Sequence, residues 1–152
     1  MNTAVHPKTG KSCKDNMVFV ACTKDGLAFI GNANREIKCG EIWMAQLPKK
    51  EGSIQGGYRP VLIISNDKNN KHSTVVNVVP MTTKMNKRKL PCHVEIWDYE
   101  KCGLTAPSTL MLEQITTIRK ETILYRMGKI DDVKILLQIV RAMQMQFPIL
   151  NS

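Results

Sequence analysis

Short apolar runs separated by polar, glycine-containing turns predict a chain built mainly of β-strands from residue 39 onward. Pro80 is expected to end regular strand pairing or to mark a bulge, because proline cannot donate to a β-ladder. Residues 48–57 and 65–73 are predicted loops. The predicted strands are rich in Val, Ile, Thr and Trp and lie at 41–47, 61–64, 74–79, 92–97 and 109–112, with 114–118 continuing the last one after a bend.

The spacing of apolar positions changes near residue 131 from that of a strand to that of a helix, which predicts a C-terminal helix. Asp131 or Asp132 can cap its first turn, and Gly128 is expected to break the chain before it. An apolar stripe at helical spacing is expected to pack against the core. Its members are Val133, Leu136, Leu137, Val140, Met143 and Phe147. The pattern as a whole predicts a small curled β-sheet or barrel with one or two helices.

The first 38 residues differ from the rest of the chain in their pattern of apolar and polar positions. Two apolar pieces, 17–22 and 27–30, flank a Lys-Asp-Gly turn signal, which fits either a β-hairpin or a flexible arm with weak local structure. We therefore predict an N-terminal extension over 1–38 and one domain over 39–152. The longest apolar run has six residues, whereas a membrane span needs about 20. No membrane span and no export signal are expected.

Composition and charge narrow the class of partner. Hydrophobic residues make up 43% of the chain, enough for a core, and the net charge is +9. Nine Lys and Arg against three Asp and Glu place +6 of that charge in residues 39–91. Four cations fall within 84–89 alone, forming either a solvated loop or a strip of phosphate contacts. An anionic partner, with nucleic acid the default, is predicted.

Cysteine and histidine usage argues against metal or disulfide chemistry. The five cysteines include no CxxC pair, and the three histidines are far apart in the chain. No metal ligands and no cofactor are predicted, and reduced thiols indicate a cytoplasmic protein. A Ser-His or Cys-His nucleophile stays open, although no GxSxG turn occurs. His93 alternates with Val94 along a predicted strand and is either structural or a proton-transfer group.

Two short polar sequence motifs are predicted to form one anion-binding site. In the first, Gly56 and Gly57 allow close backbone approach, and Arg59 offers a planar fork suited to phosphate. In the second, Thr82 and Thr83 supply hydroxyls directly before the basic segment. A simple turn would also explain the glycines, and Tyr58 is either a packed side chain or a stacking surface.

At these motifs the sequence resembles the MazF/PemK family of toxin endoribonucleases. Five phrases occur in the family's order over roughly residues 38–145: Gly40-Glu41-Ile42-Trp43, the stretch 55–67, Val79-Pro80-Met81-Thr82-Thr83-Lys84, Lys89-Leu90-Pro91-Cys92-His93-Val94-Glu95-Ile96, and Leu112-Glu113-Gln114-Ile115-Thr116-Thr117-Ile118. Cys92 departs from the threonine that is frequent there, and the first 38 residues are extra to the family core.

The resemblance implies a mainly β, SH3-like small barrel with a C-terminal helix, acting as a homodimer. It implies metal-independent, sequence-specific cleavage of single-stranded RNA, and inhibition by a cognate antitoxin, expected to be acidic. Arg59 and Thr82 match the family's catalytic pair. Positions similar to RNA-contacting ones are Gln55, Gly56, Gly57, Tyr58, Thr83, Lys84 and Gln114. Two alternatives remain: a CcdB-like gyrase-binding toxin without nuclease activity, and an inactive nucleic-acid-binding barrel.

Overall fold

The computed structural model describes residues 35–85 and 89–151, together with the backbone of 19–23 and 26–30. The N-terminal piece is an antiparallel hairpin of β1 (Phe19–Thr23) and β2 (Gly26–Ile30). The hairpin interpretation of the turn signal is therefore confirmed. The division at residue 38 stays a prediction, although the buried side chain of Ile37 packs into the core of the following domain.

Seven antiparallel strands form the main sheet, in the order β6-β7-β5-β4-β3-β9, with β8 pairing to β5. Their bounds are β3 Glu41–Leu47, β4 Gly57–Ile63, β5 Val75–Thr82, β6 His93–Ile96, β7 Ser108–Met111, β8 Thr116–Arg119 and β9 Ile123–Lys129. The mainly β fold with a C-terminal helix is confirmed. The predicted closure into a barrel was wrong. Among the described strands, the edge strands β6 and β9 do not pair, so the curled sheet stays open.

Strand β5 is the centre of this curl, and Pro80 lies where its partner changes. Pairing with β4 runs from Val78 to Pro80, whereas pairing with β7 begins at Met81. The strand itself continues to Thr82, beyond the predicted end at residue 79, but the expected interruption of pairing at Pro80 is confirmed, because β5 leaves β8 after Val78 and joins β7 only at Met81. The missing N–H of Pro80 faces the β7–β8 side of β5 and lies in this gap, whereas the β4 ladder ends where Pro60, opposite Met81, has no N–H to donate.

Apolar side chains alternate along the strands and fill two cores, one on each face of the sheet. Trp43 and Val61 lie in one core, and Ile42 and Leu62 in the other. The second core is covered by helix α2 (Val133–Gln146), whose N-cap is Asp132, as predicted. No helix in the described part of the chain is both long and apolar enough to cross a membrane.

Four members of the predicted core-facing stripe of α2 were wrong, whereas Met143 packs against the core as predicted. Ile135, Ile139 and Ala142 pack against the sheet instead. The side chains of Val133, Leu136, Leu137 and Val140 are 66%, 39%, 53% and 51% exposed. Both sets recur at helical spacing, so periodicity alone could not choose between them. The connection before the helix decides, because Ile130 is buried and its backbone N–H donates to the Gly40 carbonyl at 2.9 Å.

Other elements were missed or misread. A short helix, α1 (Asp67–His72), replaces part of the predicted loop 65–73, and the side chain of Asn66 caps it. Strand β9 was not predicted, and Gly128 lies within it, where an added Cβ would sit 2.1 Å from the Cys102 carbonyl oxygen. Close packing of two chain segments, not a break, therefore explains this glycine. Short 3-10 helices occupy Tyr99–Cys102, Leu112–Gln114, Lys120–Thr122 and Pro148–Asn151.

Candidate active site

The fold brings Arg59 and Thr82 together at the end of the β4–β5 ladder. Val61 pairs with Pro80; the antiparallel register, extended by two residues, places Arg59 opposite Thr82. Opposed residues of an antiparallel pair project from the same face of the sheet. Two side chains separated by 23 positions in sequence therefore share one surface, as the sequence predicts.

Pro60 on β4 leaves a gap in the ladder that the Arg59 side chain fills. Pro60 has no N–H to donate toward β5, and the Met81 carbonyl oxygen accepts instead from Nη1 of Arg59 at 3.2 Å. Nε of Arg59 donates to the Gly56 carbonyl oxygen at 3.0 Å. These two bonds fix the plane of the guanidinium. Its Nη2 group makes no hydrogen bond to the residues that the structure describes, which leaves one edge of the fork for a ligand.

Burial lowers the pKa of Arg59 below its ordinary value. Since arginine starts so far above neutrality, the group remains a cation at neutral pH. A half-buried cation is less screened by water than an exposed one, so its attraction to a phosphate is stronger. Its bonded partners are carbonyls and not carboxylates, so no anionic side chain neutralises it through these bonds.

The loop before Arg59 depends on its two glycines for different reasons. A Cβ on Gly56 would sit 2.2 Å from the Pro48 carbonyl oxygen and 2.4 Å from the Lys50 nitrogen, so the backbone there has no room for a side chain. Gly57 has a φ of +76°, which favours glycine, and its Cβ position is open. The Gly-Gly pair therefore builds the turn whose first carbonyl holds Arg59.

Gln114 ties this loop to the short 3-10 turn that follows β7. Its Oε1 accepts from the Gln55 backbone N–H at 3.1 Å, and its Nε2 donates to the Ser53 carbonyl oxygen at 3.0 Å. Both ends of the amide are thus occupied by the loop. Gln55 and Gln114, predicted from sequence as RNA contacts, are brought together as a loop clamp.

Thr82 and Thr83 differ in their surroundings. Thr82 ends β5, is half-buried, and its Oγ1 accepts from the Lys84 backbone N–H at 3.2 Å, so its own hydroxyl proton remains to donate. Thr83 and Lys84 are exposed beyond the strand end. Of the basic segment 84–89, the three residues 86–88 lie outside the described part; Lys89 pairs with Glu95 at 3.3 Å.

Tyr58 lies beside Arg59 on β4 and is 41% exposed. The expectation of a packed tyrosine therefore gives way to that of a partly open ring. Successive residues of a strand project from opposite faces, so the ring and the guanidinium lie on opposite sides of β4. An exposed aromatic face at the end of a strand suits an unstacked base.

His93 belongs to a different cluster. Its Nε2 lies 2.8 Å from Oε1 of Glu113, and the Cys92 thiol donates to Oε2 of the same carboxylate at 3.5 Å. Burial, and after it the Glu113 charge, raises the pKa of Cys92. The thiol is therefore protonated at neutral pH and a poor nucleophile. Glu113 carried no signal of its own in the sequence, and only the pairing of β6 with β7 places it here.

A partly open cavity of about 460 Å³ lies elsewhere, between β6 and α2. Its walls include Glu95, Trp97, Gln138 and Arg141, and none of the predicted catalytic or RNA-contacting residues lines it. The candidate site lies instead at the end of the β4–β5 ladder, on the surface of the sheet, where an extended strand of nucleic acid has access.

Sequence reasoning also missed Arg35, which is structural. Its guanidinium donates to the carbonyl oxygens of Lys120 and Ile123 at 3.0 and 2.8 Å and lies 5.5 Å from the centroid of the Trp43 ring. Burial lowers its pKa to about 10. Arg35 therefore anchors the start of the domain, whereas Arg59 presents an open edge.

Comparisons with known proteins agree with this architecture. A family model described as PemK-like, MazF-like toxin of type II toxin–antitoxin system matches residues 38–146. The Mycobacterium tuberculosis toxin MazF-mt6 is 27% identical over 71% of this chain and 96% of its own, with a TM-score of 0.59. A mycobacterial endoribonuclease solved with its cognate antitoxin is 21% identical over 74% and 95% of the two chains, with a TM-score of 0.57.

A third similar structure, MazF from Deinococcus radiodurans, is 15% identical over 78% of this chain and all of its own, with a TM-score of 0.59. At this identity the likeness concerns the fold alone. The family model, in contrast, spans well over half of the chain and includes Arg59, Thr82 and Gln114. The protein therefore belongs to the PemK-like, MazF-like toxins of type II toxin–antitoxin systems.

Proposed function

We propose that this toxin is a metal-independent endoribonuclease that cleaves single-stranded RNA, messenger RNA included, at a specific sequence. One observation carries the proposal: a half-buried arginine with an open edge shares a sheet face with a half-buried threonine hydroxyl. Family membership supports it, because the catalytic pair implied by the resemblance falls on these two residues.

The proposed reaction uses the substrate's own nucleophile. The RNA 2′-OH attacks the adjacent phosphorus, a bond to the 5′-oxygen breaks, and the products are a 2′,3′-cyclic phosphate and a 5′-hydroxyl. The protein must align the attack and stabilise the negative charge that develops on the nonbridging oxygens. Nη2 of Arg59 and the Thr82 hydroxyl are the donors for those oxygens. Arginine is a poor base, so we assign it charge stabilisation.

Recognition of the RNA is assigned to the surface around this pair. Thr83 and Lys84 continue from β5 and are exposed, so they are available to the backbone of the strand. Tyr58 offers a stacking face. Gln55, Gly56, Gly57 and Gln114 shape the neighbouring loop through their backbone and clamp contacts. Binding that relies on these cations should weaken as salt rises.

A gyrase-binding toxin of CcdB type is the alternative from another class. It would need a protein-docking surface and no phosphate site. The bonds that hold Arg59 with its open edge beside Thr82 favour the nuclease. A domain of this open-sheet fold that binds nucleic acid without cutting it is the remaining alternative, and a cleavage assay separates the three.

An acidic antitoxin segment is the proposed inhibitor. Similar toxins have been solved with partners: the mycobacterial endoribonuclease with its cognate antitoxin, and MazF of D. radiodurans with MazE. The net charge of +6 in residues 39–91 favours an acidic peptide over a basic one. Its proposed substrate places the toxin in the cytoplasm.

The exposed face of α2 supports a homodimer. Val133, Leu136, Leu137 and Val140 form one apolar stripe that the sheet does not cover. Exposed contiguous apolar surface of this kind marks an interaction site. A second copy of the chain, presenting the same stripe across a two-fold axis, is the proposed occupant.

We expect Leu137→Asp to weaken dimerisation by about 30-fold or more, the loss of roughly 2 kcal/mol at a central interface position. Gln138→Asp places the same charge at the next, also exposed, position of α2 and serves as the matched control. Sedimentation over a concentration series measures both. A monomeric parent protein, or equal effects of the two substitutions, would exclude this face as the dimer contact.

Cleavage of a long RNA in EDTA tests the proposed function. Purified toxin is expected to cut at a recurring short sequence, mapped by primer extension, with the same sites and rate when Mg²⁺ is added. A strict requirement for Mg²⁺ would refute the mechanism. Binding without cutting would favour the inactive nucleic-acid-binding domain, and trapped gyrase–DNA complexes without RNA cleavage would favour the gyrase toxin.

A further inference from the structure

The cluster of Cys92, His93 and Glu113 has no role in the proposed cleavage. One ligand atom from each residue lies within 4.8 Å of the other two. Sequence spacing alone predicts no metal ligands, because only two of the three are neighbours in the chain. The fold supplies the third, since β6 pairs with β7 and Glu113 lies in the turn Leu112–Gln114 that follows β7.

We propose that these three side chains bind one Zn²⁺-class ion, with the fourth coordination position open to solvent. A thiol sulfur, an imidazole nitrogen and a carboxylate oxygen are the donors that zinc takes in proteins. Mg²⁺ and Ca²⁺ prefer oxygen ligands and should not compete. This inference is independent of the proposed RNA cleavage, which uses Arg59 and Thr82.

The distances suit such an ion after a small adjustment. Zinc bonds of about 2.0–2.3 Å in a tetrahedral arrangement separate the ligand atoms by roughly 3.4–3.6 Å. The present separations are 2.8 Å from His93 Nε2 to Glu113 Oε1 and 3.5 Å from Cys92 Sγ to Glu113 Oε2. The carboxylate therefore needs to swing by about an ångström or less to admit the ion.

The backbone that carries the ligands is held in place. The Leu112 N–H donates to the Cys92 carbonyl oxygen at 3.1 Å, and the His93 N–H donates to the Leu90 carbonyl oxygen at 3.0 Å. The His93 side chain is 8% exposed and that of Glu113 is 26% exposed. The cluster is thus preorganised, partly sheltered and still open on one side, as a site with a free position requires.

An ion bound at this cluster would affect the loop of the candidate active site through one residue, Gln114. Glu113 is followed by Gln114, whose amide clamps the backbone at Ser53 and Gln55. The same loop supplies the Gly56 carbonyl that holds Arg59. A bound ion would stabilise the turn Leu112–Gln114 and, with it, the position of this loop.

Metal titration of the full chain under reducing conditions tests the proposal, with Zn²⁺ and Co²⁺ as probes. We expect one Zn²⁺ per chain at this site, a sulfur-to-cobalt charge-transfer band with Co²⁺, and no response to Mg²⁺. At a Zn²⁺ concentration 100 times its Kd, Tm should rise by at least about 5 °C. Absence of the cobalt–sulfur band from the parent protein would overturn the proposal.

Variants locate the binding. Cys92→Ser and Glu113→Gln should each weaken Zn²⁺ binding by more than the about 10- to 100-fold that loss of an outer-shell partner costs. Cys39→Ser removes an exposed free thiol elsewhere and should bind as the parent does. Melting without metal checks that each variant is folded. Unchanged binding in Cys92→Ser would overturn the proposal, and cleavage in EDTA, measured separately, keeps the nuclease proposal distinct.

Discussion

Replacing Arg59 with alanine is expected to lower the rate of RNA cleavage by about 10³-fold or more. Loss of one preorganised hydrogen-bond donor lowers the rate of a catalysed reaction by about 10²- to 10³-fold. Loss of an arginine that stabilises phosphoryl charge lowers it by about 10³- to 10⁵-fold. Arg59 supplies both the charge and a fixed fork, held by the carbonyls of Gly56 and Met81. Single-turnover cleavage of a defined RNA is the measurement.

Two further arginine variants separate catalysis from folding. Arg59→Lys keeps the charge but not the planar fork, and should recover only a small part of the rate. Arg126→Ala removes the same charge from a strand arginine that pairs with Glu41, and should cleave within about threefold of the parent. Cleavage undiminished in Arg59→Ala, with a normal Tm, would remove Arg59 from the site.

Thr82→Val is expected to lower the cleavage rate by about 10²-fold with little change in Tm. Valine matches threonine in shape but lacks the hydroxyl that would donate to the phosphate, and one lost donor costs about 10²–10³. Because Thr82 Oγ1 also accepts from the Lys84 N–H, a modest loss of order beyond β5 accompanies the change. Thr82→Ser restores the donor and should recover most of the rate.

The adjacent residue is the matched control. Thr83 is exposed beyond the end of β5, and Thr83→Val should cost less than about tenfold, through weaker RNA binding and not through the chemical step. The reverse pattern, with Thr83→Val inactive and Thr82→Val active, would show that Thr83 and not Thr82 is the hydroxyl donor.

The candidate site could be largely anticipated from the chain because its signals are local. Glycine pairs, an Arg-Pro step and a threonine at a strand end each carry a backbone or donor requirement that shows in a short stretch. What could not be anticipated were partners set by register. Gln114 as a loop clamp and Glu113 beside His93 depend on how β7 and the turn after it pack, which no local pattern encodes.

The fold shows the same division. Glu41–Leu47 is a strand with the predicted bounds, because its apolar residues alternate between two cores. Most of the predicted α2 stripe was wrong because two faces of that helix are apolar, and Ile130 and the Asp132 cap set which one meets the sheet. Closure into a barrel was likewise beyond periodicity, which predicts strands but not whether the two edge strands pair.

The measurement that tests the central proposal most directly uses a short RNA containing a mapped cut site, and the same RNA with 2′-deoxy at the nucleotide before the scissile phosphate. In EDTA, the toxin is expected to cut the first and leave a 2′,3′-cyclic phosphate with a 5′-hydroxyl, while the deoxy substrate binds but stays intact. Cleavage of the deoxy substrate, or a product carrying a 5′-phosphate, would contradict attack by the RNA's own 2′-OH.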